Sequence, residues 1–317
     1  LRLADTPAYY HFPMGPRQVT YNESLYVGYR YYDTAGRPVQ FPFGYGLSYT
    51  TFAYGALQTA AALPAGQELK VRFTVTNTGA RAAAEICQCY LHKRDPAVFR
   101  AEQELAGFAK VFLQPGESRS VCLCLPARSF CFYLPSAAEF VCEPGIWEVR
   151  IGASSRDLPL TAVVTVAAPP LPELPPEQRA DSFYGRIRDN RFPAEEFCAL
   201  RGGVPTDNRP TRRGEFTLTS TLDEIAVTWP GRLMRAVGRA VGERSLHLVE
   251  PRAENRRLVR RITGEFPLKN IVLMSGGSFD YAALQALLDI CNGRGGWKRL
   301  GSGAWRALRR MRAGQRG

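Results

Sequence analysis

Nucleophilic catalysis is the first chemistry that the side chains of this sequence could serve. It needs a serine or cysteine beside a base, and that base is usually a histidine. The three histidines, His11, His92 and His247, lie far apart, none stands in a recognisable motif, and no G-x-S-x-G turn is present. The sequence therefore does not predict a catalytic triad.

Acid–base chemistry by paired carboxylates is the second possibility. Asp33 lies among aromatic residues, and Glu102 and Glu104 lie two positions apart. Cleavage of a glycosidic bond needs two carboxyl groups on either side of the sugar, and sequence spacing alone does not pair these acids in space. We therefore name no catalytic residue in this chain.

The eight cysteines could bind a metal, form disulfides or fill a core. Cys87 and Cys89 lie two positions apart, as do Cys122 and Cys124, each pair within a β-type run. On a strand this spacing points both thiols to one face, whereas zinc sites favour two intervening residues on a turn. We predict buried apolar cysteines, no metal and no cofactor. Free thiols in this number favour a reducing compartment and hence the cytoplasm.

Positive charge is concentrated in the second half of the chain. The net charge is +12, and residues 1–170 hold 15 Lys/Arg against 13 Asp/Glu, whereas residues 171–317 hold 26 against 16. The clusters Arg256–Arg257, Arg260–Arg261 and Arg306–Arg312, the last near Trp297 and Trp305, resemble a nucleic-acid footprint. The i, i+4 spacing of the first two clusters around apolar residues is also typical of the outer face of a packed helix, which is the interpretation we favour.

Residues 56–168 have the pattern of an antiparallel β-sandwich. In Leu69–Thr76, apolar and polar residues alternate, and an Asn-Thr-Gly turn follows. About seven short strands with turns between them fit a fibronectin-type sandwich. The other predicted strands are Ile86–His92, Leu105–Leu113, Ser120–Leu125, Ile146–Ile151 and Leu160–Val166. Residues 1–55 contain a β-like stretch at Ser24–Asp33 but no self-sufficient set of strands, so we expect them to complete a larger domain.

A proline-rich linker at residues 169–180 precedes a region of helical periodicity at 181–317. One predicted apolar stripe comprises Leu233, Val237, Ala240 and Val241, and a second comprises Leu258, Ile262 and Phe266. The clearest helix follows the Ser-Gly-Gly-Ser run at 275–278, with Ser278 as its cap and Leu284, Leu287, Leu288 and Cys291 on one face. That run could also cradle a phosphate, but the lysine of a Walker loop is missing. No run of eighteen apolar residues occurs, so we predict no membrane span.

Several motifs recur in order along residues 1–168. Residues 21–34 read YNESLYVGYRYYDT, and residues 41–52 read FPFGYGLSYTTF. VTNTG at 75–79, LAGFAKV at 105–111 and LQPGES at 113–118 follow. This series resembles the C-terminal part of family 3 glycoside hydrolases, the β-glucosidase family, with its fibronectin type III-like domain. Parts of residues 216–277 are similar to a helical extension of some clostridial members.

The resemblance implies a mixed fold and an accessory role. Residues 1–55 would be the end of an α/β sandwich domain, 56–168 the fibronectin type III-like sandwich, and 181–317 a basic helical extension. The family's nucleophile and acid/base belong to regions upstream of Leu1, so the chain would be inactive alone and would have the upstream catalytic domains as its partner. A glycoside substrate would then reach it through the parent enzyme.

The resemblance also implies candidate substrate-binding residues, namely Tyr29, Arg30, Tyr31, Tyr32 and Tyr45. Tyr45 stands where the family usually has histidine, and a phenol does not titrate near neutral pH as imidazole does. Aromatic packing between domains is the alternative role for these tyrosines. A stand-alone carbohydrate- or protein-binding module, and a homo-oligomer, stay open at this point. Secretion stays open as well, because Leu1 looks like the middle of a reading frame.

Overall fold

A computed structural model describes residues 2–12, 18–205, 207, 209–246, 253–274 and 280–298. The chain divides into two compact units. The first comprises the described parts of residues 1–13 and 19–206, and the second comprises those of 14–18 and 207–317.

Two antiparallel sheets form the centre of the first unit. The smaller sheet's strands are β1 Phe52–Thr59, β3 Leu69–Asn77 and β6 Ser118–Leu125. The larger sheet's are β2 Ala62–Pro64, β4 Ala83–Lys93, β5 Glu104–Leu113, β9 Gly145–Gly152 and β10 Leu160–Ala167. The order of the smaller sheet is β1-β3-β6, and the order of the larger is β2-β10-β9-β4-β5, in which only the β2–β10 pair is parallel. A separate hairpin consists of β7 Cys131–Leu134 and β8 Glu139–Cys142.

The alternation of apolar and polar residues in β3 explains its contribution to the core between the sheets. Leu69, Val71, Phe73 and Val75 of β3 are all at most 1% exposed, as predicted. They pack with the inward residues of the other sheet, including the indole of Trp147. Asn77 closes the strand, because its amide donates to the carbonyls of Arg81 and Leu113 and its Oδ1 accepts from the Gly79 N–H.

The two cysteine pairs differ in their environment. Cys87 and Cys89 are buried in the core, as predicted, and burial raises their pKa values to about 11 and about 12. The prediction is wrong for Cys122 and Cys124, which are exposed. Because β6 alternates, its inward face is already occupied by Val121, Leu123 and Leu125.

The segment before the sandwich contains a helix where the sequence predicted a β-like stretch. Helix α1 spans Tyr29–Thr34 and follows Gly28, whose φ of 56° favours glycine. Helical i, i+4 spacing points Tyr29 and Asp33 towards the sandwich, where each contacts a side chain or backbone group of it. Tyr31 points the other way and is buried. A strand would have placed all three on one face.

Residues after the sandwich pack back onto this first segment. Leu174 lies against Val98 and Leu134, so part of the proline-rich linker is in contact with the sandwich. Tyr184 and Phe192 form a buried cluster with residues that include Tyr26, Tyr31 and Ile187. For this reason the first compact unit extends to 206 rather than ending at the predicted linker, and it includes the short helix α2, Ala194–Leu200.

The described part of the second unit consists of helices around an apolar core. They are α3 Leu222–Ile225, α4 Trp229–Leu246, α5 Ala253–Glu265, α6 Leu268–Met274 and α7 Tyr281–Cys291. The predicted face of α7, Leu284, Leu287, Leu288 and Cys291, is buried. Asp280 caps this helix through its Oδ1, which accepts from the Ala283 N–H at 2.8 Å. The predicted cap, Ser278, lies outside the described residues.

The apolar stripe predicted on α4 is not the buried face of that helix. Leu233, Val237 and Val241 are 59%, 50% and 60% exposed. A Cβ atom added to Gly238 or Gly242 would lie within 3.4 Å of Thr263 or Val259 of α5, so the helix packs through its glycines. Close helix approach therefore places the small residues inside and the larger aliphatic residues outside.

Candidate functional site

Two shallow clefts beside α1 form the candidate site of the first unit. One, of about 380 Å³, is lined by Tyr29, Tyr32, Asp33, Gln40, Phe41 and Phe43, among others. The other, of about 420 Å³, is lined by Asp5, Tyr31, Arg37, Gln40 and Asn190, among others. The loop residues Val39 and Gln40 line both clefts.

Tyr29 is held firmly within the first cleft. Its ring stacks on Phe43 at 4.9 Å and meets the edge of Tyr90 at 5.8 Å. Its hydroxyl oxygen accepts from the backbone N–H of Leu105 in β5 at 2.9 Å. These contacts give Tyr29 a packing role between helix and sandwich, and leave part of the ring on the cleft wall.

Of the other predicted site residues, Tyr31 lines one cleft and Tyr32 lines the other, whereas Tyr45 lines neither. Tyr31 is buried, burial raises its pKa, and its ring lies 5.1 Å from that of Tyr32. Burial also raises the pKa of Tyr32, so both phenols stay protonated at neutral pH. Tyr45 is about half exposed and stacks on Phe41 at 5.3 Å. Arg30 is not among the residues that line either cleft.

Asp33 and Asn190 line the clefts but were not predicted as site residues. The Asp33 carboxylate accepts from Nε of Arg156 at 2.7 Å, and its side chain is 7% exposed. The Asn190 amide donates to the backbone carbonyls of Ala4 and Thr6. The sequence showed Asp33 as an acid among aromatic residues. No local pattern in the sequence connects Asn190 with the segment around α1 that lines the clefts.

The chemistry that these clefts can offer is binding rather than cleavage. Each has one carboxylate among its lining residues, Asp33 in one and Asp5 in the other, whereas glycoside hydrolysis needs two that flank the bond. Aromatic rings beside amide and carboxylate groups suit a ligand with hydroxyl groups and an apolar ring face. In the part of the chain that the structure describes, no group of three or more His, Cys, Asp or Glu could hold a metal. None of the described helices is both long and apolar enough to cross a bilayer.

Comparison with known proteins identifies the sandwich domain to which Tyr29 of the first cleft is hydrogen-bonded. Residues 85–155 match the model of the fibronectin type III-like domain. Thermostable beta-glucosidase B of Acetivibrio thermocellus is 41% identical over 167 residues, which cover 52% of this chain and 22% of that protein. The exo-alpha-(1->6)-L-arabinopyranosidase of Bifidobacterium breve is 38% identical over 247 residues, 77% of this chain and 31% of that protein. Because this second alignment covers 77% of the chain, it must extend beyond the C-terminal end of the sandwich.

A solved structure gives the same result. The family 3 beta-glucosidase of Bifidobacterium adolescentis superposes with a TM-score of 0.50 and 39% identity, over 57% of this chain and 27% of that one. The chain spans about a fifth to a third of the length of the curated relatives named here and of a fungal relative, probable beta-glucosidase K of Emericella nidulans. The chain is thus similar to the C-terminal part of family 3 glycoside hydrolases of the β-glucosidase type and contains their fibronectin type III-like domain, as its motifs predicted.

Proposed function

We propose that the chain acts as the C-terminal accessory portion of a family 3 glycoside hydrolase that cleaves O-glycosidic bonds in the manner of a β-glucosidase. In this role residues 1–55 are the end of an α/β sandwich domain, and the fibronectin type III-like sandwich braces that domain. The Arg-rich helices form a basic extension. The catalytic nucleophile and acid/base come from the upstream domains of the same enzyme, and the chain alone is inactive.

The observation that carries this proposal is how the first segment is attached to the sandwich. Arg156 binds the Asp33 carboxylate and also donates to the carbonyl of Arg37 at 2.7 Å. The N–H of Ser155 donates to the carbonyl of Phe43 at 2.9 Å. At Gly44, φ is 84° and a Cβ atom would collide with the buried side chain of Gln88. The sandwich therefore fixes the backbone of this segment in one position.

The same segment exposes apolar side chains that a partner would cover. Leu47 and Tyr49 are both 90% exposed, Phe41 is 65% exposed, and Tyr45 is about half exposed. Apolar side chains in such density on a rigid loop are typical of an interface. The proposed occupant is the upstream catalytic part of the enzyme.

The substrate-binding role of Tyr29, Arg30, Tyr31, Tyr32 and Tyr45 belongs to the same proposal. Tyr45 is the most exposed of the four tyrosines, and Tyr32 lines a cleft with Asp33 and Gln40. The eight free cysteines support the proposal that the enzyme works in the cytoplasm.

A co-purification experiment tests the accessory role. The chain is co-expressed with the tagged Acetivibrio thermocellus relative from which the matching segment has been deleted. We expect the chain to co-purify, and Leu47→Asp with Tyr49→Ser to abolish this, whereas Phe108→Ser, at a 67% exposed position on β5, leaves it unchanged. Failure of the unsubstituted chain to bind, or equal binding by the Leu47/Tyr49 variant, would contradict the proposed interface.

One observation in the second unit favours the alternative of a carbohydrate-binding module. Trp229 and Trp297 stack at 5.2 Å, are both more than half exposed, and line a cleft of about 480 Å³ with Arg213 and Arg232. Aromatic faces beside hydrogen-bond donors can bind a sugar ring. Titration of the chain with cellobiose and laminaribiose, followed by tryptophan fluorescence, tests this alternative. Saturable quenching that Trp297→Ala removes would support it.

A further inference from the structure

The outer surface of α4 is apolar between Leu233 and Val241. Leu233, Val237 and Val241 recur at every fourth position and are at least half exposed. Ala236 and Ala240 lie beside them and are also exposed. A helix in contact with water on this side would normally carry polar residues there, so the stripe indicates a contact that this unit does not itself provide.

Helix α5 adds to the same surface. Gly238 of α4 faces Thr263 of α5, and Gly242, one turn later, reaches back to Val259. The two helices are therefore antiparallel. The exposed residues Val237 and Val241 each precede a contact glycine by one position, and Leu258 and Ile262 precede Val259 and Thr263 in the same way. A residue one position before a contact residue is rotated by about 100° around its helix axis. On two antiparallel helices these residues therefore point to the same side of the pair.

This surface, the α4–α5 face, therefore comprises two rows of aliphatic side chains. They are Leu233, Ala236, Val237, Ala240 and Val241 of α4 with Leu258 and Ile262 of α5. The larger members are between 50% and 60% exposed, which gives an apolar patch on the order of 400 Å², the size at which such patches are often functional.

Four of the arginines around the α4–α5 face are paired with acids of the same unit. Arg235 and Arg239 both donate to the Asp223 carboxylate, at 3.3 and 3.4 Å. Arg260 binds Glu243, and Arg261 binds Glu265. A polyanion would have to compete with these acids for the four arginines, whereas an apolar occupant would leave the pairs in place.

The shape of the face is complementary to itself. On α4 a ridge of Leu233, Val237 and Val241 runs beside a groove floored by Ala236 and Ala240. Ridges at i±4 that fit into such grooves are the commonest way in which two helices pack. A two-fold axis would place the ridge of one copy in the groove of the other, as in an isologous dimer.

We propose that the α4–α5 face binds a second copy of this chain and forms a homodimer with a four-helix interface. Two such faces with their rims would bury on the order of 1,000 Å², less than the roughly 1,200 Å² of a stable specific interface, which predicts a weak, concentration-dependent dimer. The proposal does not depend on the accessory role, because it concerns the second unit alone.

Sedimentation velocity of the full chain across about 1 to 200 μM tests the proposal, since this range brackets the affinity of a weak dimer. We expect a monomer–dimer equilibrium. Val237→Glu, which places a charge in the middle of the ridge, should raise the dissociation constant at least about tenfold, or about 1.4 kcal/mol. Val204→Glu, at an exposed position in the first unit, is the matched control and should leave the constant unchanged within about twofold. Leu258→Lys tests the other helix, and circular dichroism checks that each variant keeps its helices.

Three results would overturn the proposal. The chain could stay monomeric throughout the range, or the dimer could tolerate both Val237→Glu and Leu258→Lys. A monomer that binds vesicles of phosphatidylcholine with phosphatidylglycerol, and loses this binding in Val237→Glu, would make anionic lipid the occupant instead.

Discussion

Replacing Phe192 by alanine tests whether the residues after the linker are part of the first folded unit. Phe192 is 1% exposed and belongs to the buried cluster that joins residues 183–192 to the segment around α1. Its ring contacts those of His11, Tyr31, Phe183 and Tyr184 at centroid distances from 5.9 to 6.4 Å. If residues 181–206 were a separate extension, this substitution would leave the sandwich unaffected.

The expected loss is large, because the ring is fully buried among other rings. Removal of a buried phenylalanine side chain usually costs about 3–5 kcal/mol, from lost transfer energy and the cavity that remains. For a unit of this size each kcal/mol lowers the melting temperature by about 2–4 °C, so we expect a fall on the order of 10 °C. Phe108→Ala, at a 67% exposed position, removes the same atoms and should cost under about 1 kcal/mol.

The fluorescence of Trp147 reports the unfolding of the first unit. Trp147 is 1% exposed in the sandwich core, and the other three tryptophans, at positions 229, 297 and 305, would be changed to phenylalanine. Urea titrations then give the free energy of unfolding for each variant. Equal midpoints for Phe192→Ala and Phe108→Ala would refute the assignment of residues 181–192 to this unit.

Three further predictions concern pH, a turn and a thiol pair. Burial lowers the pKa of His11 below its usual 6.5, and its Nε2 accepts from the N–H of Phe192. As pH falls, His11 is therefore protonated at a higher pH in the unfolded chain than in the folded one. Stability should therefore fall as pH drops below 6.5, and His11→Gln should reduce that dependence in melting curves at pH 7.5 and 5.5. Asn77→Ala should cost about 2–4 kcal/mol in urea titrations, because it leaves buried backbone groups unpaired. Cys131 and Cys142 face each other on β7 and β8, so oxidised glutathione should oxidise both thiols to one disulfide, release two reduced glutathiones and lower the mass by about 2 Da.

Each of these predictions has an outcome that contradicts it. A His11→Gln variant with an unchanged pH dependence would show that another group controls acid stability. Full stability of Asn77→Ala would show that water replaces its hydrogen bonds. A 2 Da loss that persists in Cys131→Ser would place the disulfide elsewhere.

The strands of the sandwich could be predicted because each has one buried face. In β3 every second residue is apolar and buried, and the following Asn-Thr-Gly turn is closed by the Asn77 side chain. The periodicity of α7 was as informative, since its apolar face forms the core of the second unit. In both elements the pattern of large apolar residues coincides with the buried side.

Other elements could not be predicted, because their packing does not follow large apolar residues. Helix α1 is rich in tyrosine, which favours strands, and its helical form lets Tyr29 and Asp33 both reach the sandwich. On α4 the packed face is marked by glycines, so the larger residues indicated the wrong side. The hairpin β7–β8 is too short for a periodic signal.

The candidate site was predictable only in part, for a similar reason. Its tyrosines lie in one motif, residues 21–34, so Tyr29, Tyr31 and Tyr32 could be named from the sequence, whereas Tyr45 of the next motif lines neither cleft. Asn190 joins them through contacts between residues far apart in sequence, with Ala4 and Thr6, and local spacing carries no information about such contacts.

Restoration of hydrolysis is the most direct test of the accessory role. The rate of cleavage of p-nitrophenyl β-D-glucopyranoside is measured for the chain alone, for the Acetivibrio thermocellus relative without the matching segment, and for the two co-expressed. The account predicts no activity for the chain alone and a higher rate for the pair than for the truncated relative. Hydrolysis by the chain alone, or no gain on co-expression, would contradict it.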